Sequence, residues 1–522
     1  MVRTSKLFIL IFLSFSVGFE ILHAGQIPVI PLPAVVQPGV GSFPVSGRTV
    51  ISAPGNSAIR MYLREAVRQK TGLELQIDST FVPSEPAAGT IILKMFSGSA
   101  DLGREGYALL VSSDRVLATA SAPAGLFYAC QTILQLLSKD VESGGTAASE
   151  VWSLPGLKIE DFPRFGWRGL MVDCSRTFQS LSYLRRNIDR LARYKLNVLH
   201  LHLTDDQGWR LEIKKYPKLT STGAKFAPQY KKEGGFYTQQ QMKELIRYAT
   251  QRQVKIVPEI EMPGHCLAAL ASYPQLSCSG KQFEIYPFFE GPNIQDNVFC
   301  AGNEEVFDFL EGVLDEVAGL FPCEFLHIGG DEVPKASWKA CPKCRQRIRE
   351  EGLADENELQ SWFVRRIEKI LNQRGKRLIG WDEILEGGLA PNAAVMSWRG
   401  MEGGIEAAGQ GHEVVMSPTS HCYLDYTHEA ISVEKAYSFE PLPGQLNQLQ
   451  RKHILGLQGN IWTHIATNEA DTDRQVYPRL IALAEVGWSP AALRDWQSFS
   501  GRLQEQLEEL SRLGVQYYEN WR

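Results

Sequence analysis

The chain has 522 residues, of which 44 % are hydrophobic and 22 % charged, the balance of a folded protein with a large core and without collagen-like or disordered bias. Lys plus Arg number 54 against 59 Asp plus Glu, and a net charge of −5 argues against a protein that holds nucleic acid mainly by its phosphates. At roughly 100–200 residues per domain this length predicts two to four domains, and 11 Trp supply flat apolar faces of the kind that hold sugars.

At the N-terminus, Arg3 and Lys6 precede the apolar run Leu7 to Phe19, which ends in small residues at Ala24 and Gly25. This is the pattern of an export signal, so residues 1–24 are expected to be a signal peptide, with the mature protein periplasmic or secreted. The run falls short of the roughly 20 residues a bilayer span needs, and no later segment approaches that length, so no stable membrane span is expected. Export permits disulfides. Among nine cysteines, Cys278 and Cys300 bracket a loop and are expected to pair, and the odd count leaves at least one free thiol. Cys341 and Cys344 have no second pair at finger spacing, which favours a local disulfide or two thiols over a metal. Neither a metal nor a cofactor is expected.

Residues 25–156 mix short strands (Thr90 to Leu93, Tyr107 to Val111, Arg115 to Ala118) with helices, one from Ala124 to Leu137, and predict a small α+β domain. A Gly-, Ser-, Thr- and Ala-rich stretch from Glu142 to Glu150 interrupts the pattern and places a domain boundary before Asp161. Residues 157–522 follow another rhythm. Strand candidates start at Gly169, Asn197, Lys255, Glu324, Arg377, Ala394, Glu413 and Ile454, with amphipathic helices such as Leu184 to Tyr194 and Val306 to Leu320 between them. Thr238 with Gln241 marks a capping box, and Asn303 before Glu304 and Glu305 an acid-rich helix start. Eight such units predict an α/β fold with a (β/α)8 barrel as the catalytic domain, with an open doubly wound sheet as the alternative that periodicity leaves standing.

A barrel of this kind works at the C-terminal ends of its strands. Those ends carry Asp173, Asp205 with Asp206, Glu259 with Glu261 and His265, Asp331 with Glu332, Trp381 with Asp382, Trp398 with Arg399, Tyr423 with Asp425, and Trp462 with His464. In His327-Ile-Gly-Gly-Asp331-Glu332 two glycines let the backbone turn sharply, so that adjacent acids face one pocket. Acids handle protons and tryptophans form apolar walls, which together suit glycoside cleavage. Like-charge repulsion between neighbours is expected to raise the pKa of the proton donor.

Four motifs carry a resemblance: Asp161-Phe-Pro-Arg-Phe-Gly-Trp-Arg168-Gly-Leu-Met-Val-Asp173-Cys-Ser-Arg176, His200-Leu-His-Leu-Thr-Asp205-Asp206-Gln-Gly-Trp209-Arg210, Pro258-Glu-Ile-Glu261-Met-Pro-Gly-His265, and the glycine-acid segment. Together they resemble the family 20 glycoside hydrolases, the β-N-acetylhexosaminidases, from about Leu32 to near the C-terminus. The resemblance implies an exo-acting, retaining, substrate-assisted mechanism on glycans ending in an N-acetylhexosamine. By matching position, Glu332 is the acid and base, Asp331 orients the acetamido group and stabilises an oxazolinium-like intermediate, and Tyr423 holds the acetamido oxygen. Trp381, Trp398 and Trp462 match the aromatic box, Arg168 and Asp425 the readers of sugar hydroxyls, and Asp205 with His265 a supporting polar set. One departure stands out: His464 occupies a position where many members carry a glutamate, which leaves gluco against galacto preference open. A silent glycan-binding protein and a metal-dependent hydrolase using His327 and Asp331 are the rivals from other classes, and a disaccharide-releasing enzyme is the rival within the family. The chain is expected to act as a monomer or homodimer.

Overall fold

The computed structural model describes residues 27–78, 88–141, 150–290, 296–466 and 468–522. The expected signal peptide and most of the 142–150 boundary stretch lie outside the described residues.

The N-terminal part is a mixed sheet of β1 (Val35–Val45), β2 (Val50–Ser52), β3 (Gln76–Asp78), β4 (Thr90–Met95), β5 (Tyr107–Val111), β6 (Arg115–Ala120), β7 (Ser138–Val141) and β8 (Glu150–Asp161). Its order is β1-β8-β5-β6-β4-β2-β3, with β7 paired to β8. Strands β2, β3, β4 and β6 run parallel, whereas β5, β8 and β1 pair antiparallel. The helix Pro123–Leu136 has proline in its first turn, where a missing N–H costs nothing, and is buried along nearly its whole length against the sheet. The helix Ser57–Thr71 buries Ile59, Leu63 and Val67, one face at i, i+4 spacing. The sheet continues through β8 to Asp161, which pairs with Tyr107, past the boundary expected after residue 156.

The second part is a closed barrel of β9 (Trp167–Asp173), β10 (Val198–His202), β13 (Lys255–Glu259), β14 (Phe325–His327), β15 (Arg377–Trp381), β16 (Ala394–Ser397), β17 (Val414–Met416) and β18 (Ile454–Ile461). A two-stranded ribbon, β11 (Thr204–Asp205) with β12 (Gly208–Trp209), sits in the loop after β10. Parallel pairing of β18 with β9, from Gly456 opposite Trp167 to Ile461 opposite Val172, closes the ring and excludes the open sheet. The helix Leu181–Arg193 buries Leu184, Ile188 and Leu191 and is capped by the Ser180 side chain. Thr238 and Gln241 form the full capping box of Gln239–Thr250, and the Asn303 side chain caps Glu304–Leu320.

Lys195, whose φ is 57°, drives its ammonium into the seam between the two parts, 2.7 Å from Asp161 Oδ2 and 2.9 Å from the Tyr107 hydroxyl. Arg168 belongs to this seam and not to the substrate site. It is the second residue of β9, at the end of the barrel opposite the mouth, and is fully buried. Its guanidinium donates to both carboxylate oxygens of Glu105, at 2.8 and 3.1 Å, and to the carbonyls of Phe165 and Lys195 at 2.6 and 2.8 Å. Trp488 covers its face at 4.9 Å.

The expected Cys278–Cys300 disulfide is not formed; neither residue is bonded to another cysteine. Each is drawn into one cluster with Cys341 and Cys344, which competes for the same sulfurs. No helix among the described residues is long and apolar enough to cross a membrane.

Candidate active site

The strand ends deliver their side chains to one mouth. After β14 the chain turns through Gly329 and Gly330, with φ of 68° and 90°. A Cβ at Gly329 would collide with the Glu261 carboxylate, so the turn needs glycine for both space and backbone conformation. The turn presents Asp331, 8 % exposed, beside Glu332, whose side chain is 61 % exposed. Glu332 and His265 share a φ of 47°, a left-handed conformation that non-glycine residues adopt at a cost. Their side chains meet: His265 Nε2 lies 3.4 Å from Glu332 Oε2 and 3.8 Å from Asp331 Oδ2.

Behind this pair runs a buried relay of charge. Asp205 accepts from Arg176 at 2.6 Å, from His202 Nε2 at 2.8 Å and from His265 Nδ1 at 3.2 Å. His202 Nδ1 lies 2.6 Å from Glu259, which also accepts from Trp381 Nε1 at 2.8 Å and meets His327 at 2.9 Å. His327 is therefore a buried support for Glu259, away from Asp331. Burial works against a charged His265, but Asp205, Asp206 and Glu332 outweigh it and hold the imidazolium well above its usual range. The same competition leaves His202 raised to about 9.

The two adjacent acids are polarised opposite to the expected sense. Burial, with the charges of Glu259 and Glu332, pushes Asp331 up to about 6. Glu332 is lowered, first by its hydrogen bond from His265. Repulsion between neighbours is real, but the buried member absorbs it while the exposed one gains an imidazolium partner. Asp331 Oδ1 is buried with no hydrogen-bond partner among the described residues, as is Asp425 Oδ1. Burial pushes Asp425 up to about 7 despite Arg479 and Arg176.

The aromatic wall is continuous. Trp381 and Trp462 lie 5.9 Å apart, Trp462 and Tyr423 6.5 Å, and Tyr423 stacks on Trp398 at 5.9 Å with 24° between planes. Trp398 is fixed by donation from its Nε1 to Glu383 at 2.8 Å. Burial and the nearby Asp331 charge raise Glu383 to about 8. Tyr423 is placed by a bridge to Asn460 in β18. His464 is half-buried against Phe288 at 4.9 Å, and burial lowers its pKa, so the ring is neutral at pH 7.

Of the sequence candidates, Asp331, Glu332, Tyr423, Asp205, His265, Trp381, Trp398, Asp425, Trp462 and His464 lie at this mouth, and Arg168 does not. Arg176 and Glu383 are the functional neighbours that sequence reasoning did not assign. Arg176 lies three residues past the end of β9; it stacks on Trp462 at 4.7 Å and binds Asp205, and its position after Asp173 was a usable signal. Glu383 lies in a short turn after Trp381, and nothing in the sequence separates it from a surface acid.

The comparisons agree with this geometry. The profile described as glycosyl hydrolase family 20, catalytic domain, matches residues 165–491, and that of family 20, domain 2, matches residues 26–162. A beta-hexosaminidase of Porphyromonas gingivalis is 42 % identical over 94 % of this chain, which spans 64 % of that protein's length. A beta-N-acetylhexosaminidase of Cellulomonas fimi is 31 % identical, with 94 % of this chain and 96 % of that one covered. The solved exo beta-N-acetylglucosaminidase of Vibrio harveyi in complex with N-acetylglucosamine superposes with a TM-score of 0.84 at 34 % identity, covering 97 % of this chain and 80 % of that one. The barrel, its preceding sheet and its acid-and-tryptophan mouth are thus those of a known lineage, and the chain belongs to glycosyl hydrolase family 20.

Proposed function

We propose that the protein is an exo-acting, retaining β-N-acetylhexosaminidase that removes terminal N-acetylglucosamine or N-acetylgalactosamine from glycans by substrate-assisted catalysis. The observation that carries this reading is the unpartnered Oδ1 of buried Asp331, set beside Glu332 and facing a box of three tryptophans and Tyr423. A polar atom buried without a partner is costly, and an acetamido N–H satisfies it.

In the first step the acetamido oxygen, held by the Tyr423 hydroxyl, attacks the anomeric carbon as the glycosidic C–O bond breaks. Glu332 gives its proton to the departing oxygen. The positive oxazolinium ring forms beside ionised Asp331, which stabilises it electrostatically in a site shielded from water. In the second step Glu332 takes a proton from water, the water oxygen bonds to the anomeric carbon, and the ring reopens to the acetamide. Two inversions retain the β configuration. Bound sugar covers Glu332 and displaces water from it, which raises the pKa of a group that His265 lowers in the free protein.

Arg176 replaces Arg168 as the reader of hydroxyls at the non-reducing end, together with Asp425, and neutral His464 stands by the same side. We also infer that residues 1–24 direct the chain out of the cytoplasm, where glycan substrates are met.

Initial rates on aryl β-N-acetylglucosaminide, β-N-acetylgalactosaminide and plain β-glucoside with one leaving group test the proposal. Cleavage of the first two without the third is expected. Equal cleavage of the glucoside contradicts substrate assistance, and silence on all three from folded protein contradicts mono-sugar release.

A further inference from the structure

Four cysteines from two separate segments, the second opening the helix Pro342–Glu350, come together. Cys278 and Cys300 lie on the segment that follows β13, and Cys341 and Cys344 on the segment that follows Asp331 and Glu332. Their sulfurs all lie within 4.8 Å of one another, three of them buried. Cys278 is 3.8 Å from Cys344, and Cys300 is 3.7 Å from both Cys341 and Cys344. A tetrahedral ion with bonds of about 2.3 Å to sulfur holds its ligands about 3.8 Å apart. No pair is singled out by a shorter approach, which two independent disulfides would require.

We propose that Cys278, Cys300, Cys341 and Cys344 bind one structural zinc ion that ties the two segments together. Each thiol gives its proton to solvent as its sulfur bonds the metal. Soft thiolates in a tetrahedral set select a thiophilic divalent ion over calcium or magnesium.

The surroundings are built to hold this geometry. The Gly302 amide points at the Cys300 sulfur, and a Cβ at Gly302 would collide with the Lys343 backbone between the other two ligands. Trp338 donates to the Phe299 carbonyl at 2.9 Å, and Phe299 in turn donates to the Pro263 carbonyl at 2.9 Å. On the same loop, Asn297 donates to Asp206 at 2.7 Å, beside His265. The ion thus fixes the loop that supports the His265–Glu332 contact without touching substrate. The remaining cysteines, Cys130, Cys174, Cys266, Cys323 and Cys422, are all buried outside this cluster, so the four are a distinct set.

The test is metal analysis and thiol titration of the whole chain, purified without chelator or reductant. The proposal predicts one zinc per chain, nine titratable thiols after denaturation with chelator, and visible thiolate–metal bands on exchange with Co2+. Cys344→Ser is expected to lower zinc content about tenfold; if that variant does not fold, the stoichiometry and Co2+ spectrum of the unmodified chain decide alone. Metal-free protein overturns the proposal, whether nine thiols titrate or only five, the latter reporting two disulfides. Iron in place of zinc overturns it as well.

Discussion

Asp331 and Glu332 are joined by one peptide bond, yet one is buried and raised to about 6 while the other is largely exposed and lowered by His265. Because Asp331 must be ionised to receive the positive intermediate, kcat/KM is expected to fall as pH drops below about 6. Asp331→Asn should slow turnover by roughly 10²–10³-fold and abolish that acid limb, which a pH–rate profile of both proteins checks. Glu332→Gln should cost roughly 10²–10⁴-fold on natural linkages and far less on an aryl substrate whose leaving group needs no proton, a difference read from initial rates on the two. The acids and the tryptophans were legible in sequence because they lie at or just past the ends of apolar strands, whereas Tyr423 sits beyond the short helix Thr419–Cys422 and was placed through the family resemblance. The proton affinities of the acid pair were not legible, since these depend on burial and on Glu259 and His265, which only the folded barrel brings beside the pair.

The eight barrel strands were legible because each is a short apolar run set off by helices or turns, and the caps at Thr238 and Asn303 sit where their side chains act locally. Arg168 was misplaced for a reason that belongs to the element. A motif brings Arg168 and Arg176 together in sequence, but a seven-residue strand separates Arg168 at its start from the loop that carries Arg176 at its end. Arg168→Met strands the Glu105 carboxylate in the seam and is expected to cost about 3 kcal/mol of stability with KM unchanged. Arg176→Lys, which loses the planar stack on Trp462 but keeps a positive charge beside Asp205, should instead raise KM with a smaller loss of stability than Arg168→Met. Denaturant unfolding and steady-state kinetics on both variants separate the two outcomes.

Across the whole molecule the mouth concentrates groups that titrate abnormally, and they act against stability at opposite ends of the pH range. Asp331, Asp425 and Glu383 are raised to about 6, 7 and 8, so the folded chain binds more protons than the unfolded one between about pH 4 and 8. Stability from these groups is lost as pH rises through that window. His202, raised to about 9, contributes stability present below its unfolded value of 6.5 and lost as pH rises towards 9. On the acid side, Asp205 and Glu259 are held well below their usual range, and His200 is buried neutral with a pKa of about 4, so stability also falls as these groups protonate. Melting temperature should therefore peak near about pH 6 and drop towards pH 9, measured calorimetrically without ligand. Long-range assemblies of this kind, like the four-cysteine cluster, were hidden in sequence because their members come from segments that only the closed barrel brings together.

On the proposed mechanism the substrate's own acetamido oxygen is the nucleophile, held between Asp331 and Tyr423. The direct measurement is kcat/KM on an aryl glucosaminide series whose N-acyl group carries zero, one, two or three fluorines at constant leaving group. Fluorine drains charge from that oxygen, so a steep fall is expected with each substitution. A flat series would show that the acetamido oxygen is not the nucleophile and would overturn substrate assistance.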